Sequence, residues 1–153
     1  MGLESIWKRF TDLLIADAGG GVALDMGPSS FWISELVRAY DLTIEQDRDL
    51  RRRILHDMFV AKNPNPAMQQ RGVYWYITWQ ITRFPAPNTL PVDPAWPEKL
   101  ADIPTSLRGF SENDQCRLVN WGYALTDAAV RHFYRSSTVP ARWPYPKYSL
   151  QDP

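Results

Sequence analysis

Asp17 has the strongest claim in this chain to a chemical role. It closes a short apolar run, Leu13-Leu14-Ile15-Ala16, and is followed by Ala18 and by glycines at 19, 20 and 21. An unbroken apolar run of this length, bounded by Asp12 and Asp17, reads as a strand covered on both faces, as in a parallel sheet. Ligands in open α/β sheets sit beyond the carboxyl ends of such strands, where a glycine turn lets the chain reverse. Two roles compete for Asp17: a catalytic or binding carboxylate, and a turn residue bonded to nearby backbone amides. The turn role is the expected one, because nucleophilic hydrolysis needs an activated partner and no G-x-S-x-G motif occurs. The nearest approach, Gly27-Pro28-Ser29-Ser30-Phe31, lacks the second glycine. The DAGGG segment has neither the dinucleotide nor the P-loop phosphate pattern.

Other reactive residue types are sparse. The single cysteine, Cys116, excludes an internal disulfide framework and a Cys-rich metal site. The two histidines, His56 and His132, lie apart in separate helical contexts, so no metal and no cofactor is expected. Residues 45–53 (EQDRDLRRR) hold four arginines, including Arg48 and Arg51. Either they form i,i+4 pairs such as Asp47 with Arg51 and Asp49 with Arg53, or they grip a phosphate or carboxylate. Trp75 and Trp79 lie on an aromatic strand and are read as core, with a lipid-pocket role as the alternative. Equal numbers of acidic and basic side chains give no electrostatic case for a nucleic-acid partner.

The elements that must position these residues follow from periodicity. Leu3, Ile6, Trp7 and Phe10 predict a short amphipathic helix ahead of the first strand. Ser29 or Ser30 is the expected N-cap of a long helix ending near Lys62, with Ile33, Val37, Tyr40, Ile44, Leu55 and Met58 on one face, interrupted by Arg48 and Arg51. Pro64 and Pro66 stop it. Val73, Trp75, Ile77, Trp79 and Ile81 alternate with polar or amphipathic residues, which predicts a strand. Residues 84–110 are proline-rich and read as a wrapping strap with one helical turn at Pro97-Glu98-Lys99-Leu100. Ser111 and Asp114 form a capping box for a helix to about Tyr134, with an apolar stripe of Leu118, Trp121, Leu125, Ala129 and Phe133. Gly122 and Ala128 are expected to permit close approach. Residues 136–153 read as an extended tail pinned by aromatic packing. The chain is taken as a single domain, 1–153, with no repeat and no apolar run of membrane-spanning length or signal peptide. A cytoplasmic location is favoured.

Several stretches carry a family resemblance. Asp114-Gln115-Cys116-Arg117-Leu118-Val119-Asn120-Trp121-Gly122-Tyr123-Ala124, then Asp127-Ala128-Ala129 and Trp143-Pro144-Tyr145-Pro146, resemble the C-terminal helix and tail of bacterial patatin-like phospholipases. Gly2-Leu3-Glu4-Ser5-Ile6-Trp7 and Ala16-Asp17-Ala18-Gly19-Gly20 resemble the segment that follows that family's active-site aspartate. The resemblance runs in order along nearly the whole chain.

It implies a partial α/β/α scaffold, a few strands with a long central helix and a C-terminal helix, drawn from a lipid acyl hydrolase. Such enzymes use a serine on a nucleophile elbow, an aspartate in a D-G-G-type motif and a glycine-rich oxyanion loop, without metal or histidine. None of the three can be placed here. The D-G-G motif of the family precedes the segment resembling Gly2-Leu3-Glu4, so Asp17 comes too late to be its counterpart. No catalytic, cofactor-binding or metal residue is therefore assigned. The expectation is a C-terminal portion, silent alone, meeting a lipid acyl ester only as part of a longer protein. The alternative is a non-enzymatic interaction protein that docks a separate partner chain.

Overall fold

The computed structural model of the protein describes residues 6, 9–18, 32–61, 65, 69–103 and 109–152, and for residues 33, 34, 37 and 41 the backbone alone. In chain order the elements are strand β1 (Asp12–Asp17), helix α1 (Trp32–Val60), strand β2 (Arg71–Tyr76), a 3-10 turn (Ile81–Arg83), helix α2 (Trp96–Ala101), helix α3 (Glu112–Phe133) and a second 3-10 turn (Pro146–Tyr148). The fold is mixed α/β. Its contacts gather into two compact units, Met1–Thr11 with Gly21–Arg71, and Asp12–Gly20 with Gly72–Pro153.

The first unit is built on α1. The helix begins and ends close to the expected positions, although Ser29, Ser30, Pro64 and Pro66 fall outside the described residues. Its C-terminal end is held by Ala61 N–H to the Asp57 carbonyl at 2.7 Å, and by Gln69 Nε2, which donates to the Ala61 carbonyl at 2.9 Å. Leu55 is buried and Met58 half-buried, as the stripe requires. Tyr40 departs from it: with Trp32 and Leu36, one helical turn apart each, it is exposed. Asp47 pairs with Arg51 as expected, whereas Asp49 takes Arg52 in place of Arg53. The i,i+3 and i,i+4 positions are both within reach on a helix surface, so sequence spacing alone does not choose between them. Of the predicted N-terminal helix, Leu3 and Trp7 lie outside the described residues. The Ile6 carbonyl accepts from Arg9 and Phe10 N–H groups, a helical turn, but Ile6 and Phe10 are exposed.

In the second unit β1 and β2 form a two-stranded sheet. Arg71 N–H donates to the Thr11 carbonyl and Ile77 N–H to the Asp17 carbonyl, so both strands advance together and the pair is parallel. That register sets Leu14 level with Val73 and Asp17 level with Tyr76. The expectation that β1 is covered on both faces is not met: Leu13 is buried, but Leu14 is 55% exposed. Val73 and Trp75, on the same face as Leu14, are buried in the core; the cover over β2 does not extend to β1.

The second strand is also shorter than its alternating pattern predicts. It stops at Tyr76, where its partner strand runs out, and Trp79 N–H turns back to the Tyr76 carbonyl at 3.0 Å. The freed Ile77 carbonyl accepts from the indole Nε1 of Trp121 at 2.8 Å. Ile81 enters the 3-10 turn.

Helix α3 supplies the floor of the core. Ser111 caps it, accepting from Asp114 N–H at 3.1 Å, and the Asp114 carboxylate reaches back to the Ser111 hydroxyl at 2.7 Å. Trp121, Leu125 and Ala129 are buried along the predicted stripe, and Ala124 and Ala128 are sealed beside them. The stripe ends early, because Phe133 is 61% exposed. Gly122 lies on the exposed side with open space where a Cβ would stand, so Ala128, and not Gly122, provides the close approach.

The strap and the tail are tied to the core and to each other. Helix α2 occupies the predicted turn, started by Asp93, whose carboxylate accepts from Ala95 N–H, with Pro97 in its first turn. Asn88, at φ 62°, donates to the Thr138 carbonyl, and its own carbonyl accepts from Ala141 N–H; asparagine tolerates this left-handed conformation better than most residues. Asp93 N–H bonds the Leu150 carbonyl, and Trp96 Nε1 bonds the Asp152 carbonyl.

The tail is pinned chiefly by an amide. Asn120, fully buried on α3, donates through Nδ2 to the carbonyls of Tyr145 and Tyr148 at 2.9 and 2.8 Å, and its Oδ1 accepts from Tyr145 N–H at 2.9 Å. The Tyr145 ring is exposed; Leu150, fully buried, and Trp143 at the core's rim supply the apolar part.

Replacing Asn120 with Ala strands three backbone groups and is expected to lower unfolding free energy by about 2–4 kcal/mol. The variant Asn120→Asp keeps one acceptor but turns its second oxygen toward two carbonyls, which disfavours the ionised form and raises that carboxyl's folded pKa. Its deficit should therefore shrink as pH falls and grow as pH rises through that pKa. Urea denaturation across the acid range tests both.

Candidate functional site

The carboxyl end of the parallel pair gathers the side chains with most chemical capacity. The register that places Asp17 beside Tyr76 also brings it diagonally to Tyr74 on the same face. The Tyr74 hydroxyl donates to Asp17 Oδ2 at 2.7 Å, a charge-assisted bond. Past the end of β2 the chain doubles back, so the Trp79 indole meets the Tyr74 ring edge-on, centroids 5.6 Å apart at 77°. The 3-10 turn then delivers Arg83, whose guanidinium carbon stands 4.1 Å from the Trp79 ring centroid. Phe84 continues the aromatic row, 6.0 Å from Trp79 and 5.9 Å from Phe133.

A phenol and a guanidinium thus meet one indole, with the carboxylate held on the phenol's hydroxyl. Such a set can hold a polar group by hydrogen bonds or charge. It lacks a nucleophile paired with a base, the arrangement that acyl transfer requires. Asp17 stands out in the sequence by its place after an apolar run; Tyr74 and Arg83 do not stand out, because a contact between positions 17 and 74 depends on strand register. Of the two tryptophans considered for a pocket, Trp75 is buried in the core and Trp79 is half-buried within this row.

The remaining candidates are not brought together. Cys116 is buried and free on α3. His56 is exposed on α1, 3.5 Å from Asp57. The His132 ring stacks edge-on with Phe133 at 4.4 Å, and its Nδ1 lies 3.0 Å from the Pro85 carbonyl. Among the described residues no group of three or more His, Cys, Asp or Glu could hold a metal ion. The arginines of α1 are committed along the helix, Arg48 to Glu45 at 2.7 Å, Arg51 to Asp47 at 3.1 Å and Arg52 to Asp49 at 2.8 Å. These are local pairs of the solvated kind, worth a few tenths of a kcal/mol each on a helix. Arg131 is different in kind: nearly buried, it bonds Asp127 at 2.7 Å and the Ser137 carbonyl at 2.8 Å, fixing the chain just past α3. No helix among the described residues is long and apolar enough to cross a membrane.

No protein-family model, curated protein or solved structure gives a significant match to this chain.

The Tyr74–Asp17 bond is expected to carry about 1 kcal/mol of coupling in a double-mutant cycle built from Tyr74→Phe and Asp17→Ala, read by chemical denaturation. A coupling of zero would mean that this bond adds nothing to stability.

Proposed function

We propose that this chain is the C-terminal scaffold portion of a patatin-like lipid acyl hydrolase, whose ester-attacking serine and aspartate lie outside these residues. The observation that carries the reading is the sheet. Parallel strands are ordinarily covered by helices on both faces and flanked by further strands. An isolated two-stranded sheet is at best marginally stable. Here a parallel pair is the whole sheet among the described residues, and the middle of β1 presents Leu14 to water. In an α/β/α arrangement the layer that covers Val73 and Trp75 would extend across Leu14 as well. The resemblance in residues 114–124 falls on the groups that hold this unit together, Asn120 and Trp121 above all.

In this reading Asp17 and Tyr74 tie the carboxyl ends of two scaffold strands, and the substrate, a lipid acyl ester, is met only by the longer protein. A second reading, an interaction protein without catalysis, draws on the exposed Trp32, Leu36 and Tyr40 of α1. It requires a stable heteromeric complex, and a well-behaved monomer in solution would count against it.

The nucleotide sequence directly upstream of the Met1 codon distinguishes the two. An in-frame D-G-G followed further upstream by G-x-S-x-G is expected, and a stop codon or unrelated sequence there overturns the hydrolase reading. The chain alone should hydrolyse p-nitrophenyl esters at background rate. Turnover abolished by a serine-directed phosphonate would relocate the catalytic groups to these residues.

A further inference from the structure

Elsewhere in the second unit, two cations share one indole. Arg117 of α3 places its guanidinium carbon 4.7 Å from the Trp96 ring centroid, and the ammonium of Lys99, on α2, lies 5.3 Å from the same centroid. Trp96 is itself fixed, buried and hydrogen-bonded through Nε1 to the Asp152 carbonyl. Neither cation is within salt-bridge distance of a carboxylate among the described residues. Of the acidic residues near Arg117 in the chain, Glu112 accepts from Tyr148 and Asp114 from Ser111, while Asp102, three residues beyond Lys99, is exposed. Glu98 is exposed and pairs with neither cation. The Nε of Arg117 is shielded from water and has no acceptor.

A buried donor without an acceptor is costly, which applies to the Arg117 Nε, whereas the exposed Lys99 ammonium stays in water. This arrangement contrasts with α1, where Arg48, Arg51 and Arg52 are each matched to a carboxylate. Contact with an indole restricts a guanidinium, and the Nη donors of Arg117 are the ones left for a planar or tetrahedral oxyanion, a class of group that arginine binds through N–H bonds of fixed geometry. The ammonium adds a second point charge. We propose that Arg117 and Lys99, oriented by Trp96, form a binding site for a phosphate group. The phosphate is either a free phosphate ester or a phospholipid headgroup. The proposal does not depend on the hydrolase reading, since it involves no ester chemistry.

Isothermal titration of the full chain with inorganic phosphate, and separately vesicle co-sedimentation with phosphatidate-containing against pure phosphatidylcholine vesicles, tests it. Saturable binding in either arm is expected, weakened about tenfold or more by Arg117→Gln and by Lys99→Gln. It should be unchanged by the double substitution Arg51→Ala, Arg52→Ala, whose arginines are already paired. Binding of inorganic phosphate identifies a free ester as sufficient; binding confined to phosphatidate vesicles identifies the headgroup. Lys99 is exposed, so Lys99→Gln should leave the circular dichroism and melting midpoint unchanged and serves where Arg117→Gln perturbs folding. Absence of binding in both arms, or binding that the Lys99→Gln variant retains in full, overturns the proposal.

Discussion

Two adjacent residues on one helix hold the second unit together. Asn120 and Trp121 are both buried on α3, yet they face different parts of the chain: the amide clasps the tail at Tyr145 and Tyr148, and the indole N–H ties off the Ile77 carbonyl where β2 ends. Asn120 satisfies three backbone groups and Trp121 one, in partly buried surroundings where an unmade hydrogen bond is costly. Around this pair the strap, the tail and the strand end all become determinate. The rest of α3 contributes bulk, with Leu125 and the small Ala124, Ala128 and Ala129 setting how closely the core closes over it.

The sheet obeys a different constraint. Its two strands are parallel and in register, which brings Asp17 to Tyr74 and lets the following turn stack Trp79 and Arg83 onto the same end. The unit's core covers β2 and leaves the same face of β1 in water at Leu14. That asymmetry motivates the proposed membership of a larger α/β/α layer. The other charged cluster, Lys99 and Arg117 on Trp96, has the opposite character: it carries cations where α1 carries matched pairs.

Much of the element order is legible in the residues themselves. The long helix, the capped C-terminal helix, the helical turn at Pro97 and the apolar run ending at Asp17 all follow from periodicity, caps and proline placement, which are local effects. The departures share one cause. The alternation from Val73 to Ile81 has strand period throughout, but a strand needs a partner, and β1 runs out at Asp17. Tyr40 and Phe133 fit their helical stripes by spacing, yet both stay largely exposed, Phe133 despite its ring contacts with Phe84 and His132. A stripe states which residues could be buried and not how far the neighbouring layer reaches. Gly122 has the size for close approach, yet it faces outward.

The amino-acid sequence by itself determined that Ser111 caps a long helix, that Pro97 lies in the first turn of a short one, and that Asp17 ends a strand. These depend on residues within a turn or two of one another. Tertiary structure alone decided that Asn120 is the tail's anchor, that Tyr74 is the partner of Asp17, and that Arg117 and Lys99 meet on Trp96. Those pairings join positions far apart in the chain, and their geometry is set by strand register and helix packing, which no local pattern of residues encodes.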